Sequence, residues 1–415
     1  MQKLYAHQQR FLDKNPDRAM LVWETGTGKT VTACVWRNNE RRAHLKALVV
    51  APKAIVEKWK RDLKDWNAEA DVISTDAIKK TDLSPYDVLI VDEAQNFASP
   101  LFDKNRSQRS SALYSYVRLH THCHILLLTA TPVRSTPFNI HTLACYLRIF
   151  WDVQKFRDTF FYLTDMFGRM HWEKRKGWQK MIRPYIEEIS DIVLMSDCVD
   201  VPVQHHQVEK LKWDNKQEMQ LIEKYLEPSA EWHARHRLEN GEKKTKKLAE
   251  IIDGYRKVII VCHYRSQIED YEQHFKDRQV FSLHGSTKDQ DEVIRQAREA
   301  DDCIFIIQAS MGAGFDAGEF SVVVFASMSF RYVDYVQMKG RVKRINNLHE
   351  NTFIHLIGGK CDQAVYDTIQ ENKDFDVHDY LATQLRLTGA NTKDPKERGV
   401  IDTEDPRVVS GDIPF

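Results

Sequence analysis

Trp23-Glu24-Thr25-Gly26-Thr27-Gly28-Lys29-Thr30 follows a short apolar run, Ala19-Met20-Leu21-Val22, and precedes residues 31–39, which suit a helix. Strand, glycine loop and helix in that order is the context a phosphate cradle requires. Gly26 and Gly28 let backbone N–H groups turn inward towards a pyrophosphate. The helix N-terminus adds partial positive charge there. Lys29 is placed to reach the outer phosphates and the Thr30 hydroxyl to ligate Mg²⁺. Thr25 and Thr27 complete the predicted cradle. The general pattern has a glycine where this chain has Trp23. A glycine-rich turn with a solvated lysine is the competing reading, and the rest of the chain has to decide.

The chain has 415 residues, enough for two or three domains with substantial cores. Apolar residues make up 42% and charged residues 29%, the balance of an ordinary globular protein. No apolar run approaches the length of a membrane span, so no membrane partner is expected. Met1-Gln2-Lys3-Leu4 lacks the apolar stretch of a secretory signal. The seven cysteines contain no C-x-x-C pair, so neither a zinc site nor a disulfide framework is indicated. A reducing cytoplasmic compartment fits that usage. The formal net charge is +0, so nucleic-acid contact would have to come from a local basic groove.

Gln8 lies upstream of the glycine loop, where its amide could read the two-faced edge of adenine or simply be solvated. Ala47-Leu48-Val49-Val50-Ala51-Pro52 reads as a buried strand, and residues 55–66 as a helix with Ile55, Trp59, Leu63 and Trp66 on one face. Residues 72–75 look like another strand. Val88-Leu89-Ile90-Val91 then forms a buried strand that ends in Asp92 and Glu93. Asp92 is predicted to hold Mg²⁺, and Glu93 to orient or activate the attacking water. Ile125-Leu126-Leu127-Leu128-Thr129-Ala130-Thr131-Pro132 repeats the arrangement. Apolar strands alternating with helices predict a parallel sheet with helices on both faces, and ligands at the carboxyl ends of its strands.

The order WETGTGKT, LVVAPKA, VISTDA, LIVDEAQ, LLLTATP resembles the first RecA-like lobe of a superfamily-two helicase. Glu24 with Gly26 and Gly28 is similar to the loop of the Swi/Snf-type DNA translocases, although Trp23 is unusual even there. Residues from about 147 to 238 carry no nucleotide motif but many aromatics, much of them at helical spacing, which suggests the aromatic core of a helical subdomain. Within it HWEKRKGWQK, residues 171–180, could contact phosphates and stack on bases, or form a solvated charged face. Residues 181–203 are similar to the family's stretch crossing between lobes, with Glu187 and Glu188 where the family has arginines.

In the second half, a long helix is predicted through residues 243–255, with the lysines of KKTKK solvated. Strands follow at 258–262, 279–283, 304–310 and 322–325. LHGST, residues 283–287, resembles the family loop that holds a DNA phosphate through Ser286 and Thr287; alone it reads as an ordinary polar turn after a strand. The loop holding Gly314 and Asp316 resembles the motif that couples ATP to DNA. Gln337-Met338-Lys339-Gly340-Arg341-Val342-Lys343-Arg344 resembles Q-x-x-G-R-x-x-R. Its two arginines share one helical face, and their planar forks suit a transferring phosphate. Arg341 and Arg344 are the expected arginine fingers, with Gln337 beside them.

The resemblance implies an α/β fold of two RecA-like parallel-sheet lobes with a helical insertion between them. The expected domains are residues 1–146, 147–238 and 239–387, with a disordered tail at 388–415. It further implies an ATP- and Mg²⁺-dependent double-stranded DNA translocase, acting on duplex or branched DNA and similar to small phage-encoded enzymes. DNA is expected at Lys53, Ser74, Ser286, Thr287 and Ser310. The alternatives are a strand-separating helicase on DNA or RNA, and an ATP-switched adaptor. The last rests on Asp412, Ile413, Pro414 and Phe415, which resemble the tip of bacterial single-stranded-DNA-binding protein and would recruit host replication or repair proteins.

Overall fold

The computed structural model describes residues 4–102, 106–133, 136–166, 169–198, 203–212, 230–312, 315–343 and 349–371. Gly314, Arg344 and the tip Asp412 to Phe415 lie outside the described residues. Two compact units are present. The first comprises Met1–Val203 with Ala313–Glu319 and Val336–His349; the second comprises Gln204–Gly312, Phe320–Tyr335 and Glu350–Phe415.

In the first unit, strands β1 (Arg18–Trp23), β2 (Ala47–Ala51), β3 (Asp71–Ser74), β4 (Val88–Val91) and β5 (His124–Thr129) come from the short apolar runs of the sequence. Every residue of β2 and β4 is buried, as strands covered on both faces require. An antiparallel hairpin follows, β6 (Phe161–Met166) with β7 (Arg169–Lys174), then β8 (Asp191–Val193). The sheet runs β3-β2-β4-β5-β1-β8 and all its pairs are parallel. One apolar cluster packs on each face. Trp59 and Leu63 of the helix Val56–Asp65 cover one side, and Leu113, Tyr116 and Tyr146 the other.

The second unit contains β9 (Gln204–Lys210), β10 (Lys257–Cys262), β11 (Val280–Leu283), β12 (Cys303–Gln308), β13 (Val322–Phe325) and β14 (Asn351–Ile357). They run β11-β12-β10-β13-β14-β9, again wholly parallel. Two parallel six-stranded sheets with flanking helices are the fold of tandem RecA-like lobes.

The middle stretch differs from the expected helical insertion. Phe156, Phe160, Phe161, Trp178, Ile182 and Ile189 join the core of the first unit. Strand β8 extends the first sheet and β9 the second, so both sheets recruit residues from 147–238. Short or polar edge strands carry no apolar run, which is why neither was visible in the sequence. The lysines of KKTKK are not all solvated: Lys244 is buried, 2.5 Å from Asp362, and donates to Ala326 O at 3.2 Å. No described helix is long and apolar enough to cross a membrane.

Candidate nucleotide and nucleic-acid sites

Strand β1 delivers the chain into the glycine loop, and the helix Lys29–Arg37 begins directly after it. Gly26 and Gly28 both hold φ of +87°, the left-handed backbone that glycine alone adopts without strain. Such residues let a loop turn backbone amides towards an anion. The Lys29 ammonium donates to Trp23 O at 2.7 Å and Glu24 O at 3.3 Å, so its charge sits at the strand end. A Cβ on Gly28 would run into Gln8 Nε2. This backbone cradle with a lysine at its mouth fits a polyphosphate.

Gln8 is buried and not solvated. Its amide donates to Gly28 O at 3.2 Å and its oxygen accepts from Tyr5 N–H at 2.8 Å. His7 Nε2 lies 2.8 Å from Thr27 O. The helix Ala6–Lys14 therefore braces the loop from behind. Trp23, at the position where a glycine is usual, is fully buried. Its indole meets the His7 ring edge-on at 4.8 Å and donates to Asp191 of β8 at 2.9 Å. Glu24 also works structurally: its N–H donates to Val193 O, and its carboxylate accepts from Met195 N–H and pairs with Lys343 at 2.6 Å.

Asp92 continues the ladder of β4, donating its N–H to Val50 O at 2.8 Å. Glu93 then takes φ +50°, ψ +51°, a left-handed geometry uncommon for a non-glycine residue, and ends the strand. Asp92 Oδ2 accepts from Trp59 Nε1 and Oδ1 from Glu93 N–H, both at 2.9 Å. Burial raises the Asp92 carboxyl above the ordinary carboxylate range, and Glu93 adds to this; the Trp59 bond and the Lys29 charge oppose it. A buried carboxylate near a lysine-bearing loop could hold Mg²⁺ beside a bound polyphosphate. Gln95 bridges Glu93 and Thr129, whose hydroxyl donates to Gln95 Oε1 at 2.7 Å. Thr131 Oγ1 is buried without a hydrogen-bond partner. Thr30 is half-buried at the helix start.

His7, Trp59 and Thr129 were not expected as supports. Trp59 read only as a core residue at helical spacing, and Gln95 stood inside a quoted motif without a role.

The helix Tyr332–Val342 carries Gln337 and Arg341. Arg341 is buried and donates to Phe315 O at 2.8 Å, with its guanidinium over the Phe315 ring. In this geometry it serves the Asp316 loop, whose carboxylate accepts from Gly318 N–H at 3.1 Å. Gly340 lies against Thr25, where a Cβ would collide with the hydroxyl. Burial first and Lys343 second push the Lys339 ammonium down to about 8.

The nucleic-acid candidates fall at strand ends. Lys53 lies just after β2 and is exposed, and Ser74 ends the neighbouring strand β3. In the second unit, Thr287 Oγ1 accepts from His284 N–H at 2.9 Å and Ser286 pairs with His284 at 3.0 Å, so LHGST forms a self-wired turn. Gly285 N–H donates to Gln308 Oε1 at 3.4 Å, which links that turn to the end of β12, where Ser310 is exposed.

Comparison with known proteins agrees with this layout. The family described as helicase conserved C-terminal domain matches residues 243–346, and the type III restriction enzyme res subunit matches residues 2–85. No curated protein matches the sequence. Among solved structures, a variant of Saccharomyces cerevisiae Dbp5 bound to RNA and ADP BeF3 is similar over 92% of this chain and 94% of its own, with TM-score 0.52 and 14% identity. The Hef helicase domain of Pyrococcus furiosus is similar over 88% of this chain and 98% of its own, with TM-score 0.53 and 14% identity. The family matches cover part of each half, and the likeness to these solved structures shows the shared fold of two parallel-sheet lobes.

Proposed function

We propose that this protein is an ATP-dependent translocase on double-stranded DNA, remodelling forks or branches or displacing bound proteins. The observation that carries the nucleotide half is the Gly26–Gly28 cradle with Lys29 at its mouth and the buried Asp92 carboxylate across from it. When bound, Mg-ATP supplies the phosphoryl group whose transfer to water releases the energy for stepping. Lys29 and the loop amides bind the phosphates, Thr30 and Asp92 hold Mg²⁺, and Glu93 orients water. Arg341 and Arg344 complement the charge that spreads over the transferring group. For Arg341 this requires release from Phe315 O.

The duplex-DNA half rests on the similarity of WETGTGKT and LHGST to the Swi/Snf-type translocases. Lys53, Ser74, Ser286, Thr287 and Ser310 are the proposed phosphate contacts.

The test is ATP hydrolysis by the purified chain with no nucleic acid, single-stranded DNA, blunt duplex, forked DNA and RNA. Strong stimulation by duplex is expected, with more from forks. Stimulation only by single strands or RNA would replace translocation with strand separation. No turnover with any of them would overturn the reading.

A further inference from the structure

The hairpin β6–β7 has no part in the nucleotide chemistry, yet it is firmly built. Phe160 and Phe161 at its base and Trp178 just beyond it sit in the first unit's core. Arg175 N–H closes the base on Phe160 O at 2.8 Å, and its guanidinium donates to Asp158 O. Beyond the base the same face turns outward. Leu163 stands opposite Trp172 in register, so the two side chains share a face. Leu163 is 44% exposed, Trp172 39% and Met170 62%. The Arg157 guanidinium lies 4.2 Å over the Trp172 ring. Charge is concentrated here too. Residues 169–183 hold six Lys or Arg residues against one glutamate, in a chain whose net charge is +0. Lys174, Lys176 and Lys180 are exposed.

An exposed indole backed by a cation, beside exposed lysines, is the pairing that binds single strands: a base stacks while phosphates meet the charges. Paired DNA hides the faces of its bases and would use only the lysines. A protein partner would be served by the apolar strip, but the dense positive charge favours a polyanion. We infer that the hairpin β6–β7 holds an unpaired strand, with a base on Trp172 and phosphates on Lys174 and Lys176. This rests on the proposed nucleic-acid-dependent function and sharpens it, directing the enzyme to junctions where a free strand leaves the duplex.

The test measures binding of labelled oligothymidylate, forked duplex and blunt duplex to the full chain by fluorescence anisotropy, without nucleotide. Trp172→Ala should weaken the first two about tenfold and leave blunt duplex within about twofold. Trp172→Phe should recover most of the loss. Lys174→Gln with Lys176→Gln should reduce the salt slope for oligothymidylate by about 1.4, two phosphates' worth. If Trp172→Ala does not fold, the slope of the lysine pair decides, and an unchanged slope overturns the inference. Variants that bind all three substrates like the unmodified chain also overturn it, leaving the strip to a protein partner. An unmodified chain that binds none of them sinks the nucleic-acid reading itself.

Discussion

Both units build six parallel strands from the same kind of buried apolar run, yet the carboxyl ends of their central strands do different things. In the first, β1 opens into a loop with two glycines at φ +87° and a lysine. In the second, the chain leaves β10 through His263 to Tyr264, which is in extended backbone and donates its N–H to Gln267 of the next helix. Buried charge differs in the same way. Lys244 is neutralised by Asp362, whose carboxylate also accepts from Gly358 N–H at 2.8 Å. Asp92 is held by hydrogen bonds from Trp59 and its own loop, with its carboxyl raised by burial. A balanced buried charge serves the packing of the unit, whereas a buried carboxylate held by hydrogen bonds beside the Lys29 charge is the kind of perturbed group found at functional sites. The sheets carry neither distinction: Asp92 sits just after β4, and Lys244 and Asp362 lie on two helices.

The comparison breaks most easily at Lys29. Lys29→Ala should lower ATP turnover by about 100-fold or more, since it removes a cation aimed at developing charge. Thermal unfolding should stay within a degree or two, as Lys29 is half-buried and its ammonium donates to carbonyls at the strand end. Turnover within threefold of the unmodified chain would end the assignment. Asp362→Ala is the counterpart in the second unit. It strands the Lys244 ammonium in the core and should cost about 3 kcal/mol in denaturant unfolding. Nucleotide binding, measured in parallel, should not follow. A loss below about 1 kcal/mol would mean that Lys244 reaches solvent.

A smaller effect is expected at Gly28. Alanine there must hold φ +87° and point its Cβ at Gln8 Nε2. Gly28→Ala should destabilise the first unit by about 1–2 kcal/mol and weaken nucleotide affinity measured by titration. Unchanged affinity would show that the Gln8 brace does not shape the cradle.

What was legible in the sequence follows from the same physics. Strands β2, β4 and β10 are continuous apolar runs because both faces are covered, and the chain announces them. The placement of Lys29 shortly after β1 and of Asp92 and Glu93 directly after β4 was legible because that spacing is local. Strand β9, reading QHHQVEK, is exposed along most of its length and carries no such signal. The hairpin β6–β7 hid among aromatics whose helical spacing belongs to Phe156 and Phe160 in the preceding helix, Val153–Phe160. Lys244 looked like its solvated neighbours, since its partner Asp362 lies in a distant segment. The Trp23–Asp191 and Trp59–Asp92 bonds were hidden for the same reason: sequence gives no distance between residues far apart in the chain.

The smallest effect concerns His263, at the position after β10. Its ring meets Tyr264 edge-on at 4.6 Å and lies 5.0 Å from Phe330, and desolvation pushes its pKa down to about 4. An unfolded histidine titrates near 6.5. Between those values the unfolded chain binds the extra proton, so folding stability is fully present above about pH 6.5 and falls as pH drops towards 4. His263→Gln should remove this dependence, flattening the stability of the second unit between pH 6.5 and 4.5 by on the order of 1 kcal/mol. Unfolding curves for both chains at several pH values would show it. Parallel pH profiles would mean that His263 is hydrated enough to titrate normally. The second unit's buried polar groups would then differ from Asp92 only through the Lys244–Asp362 pair, which is neutralised within itself.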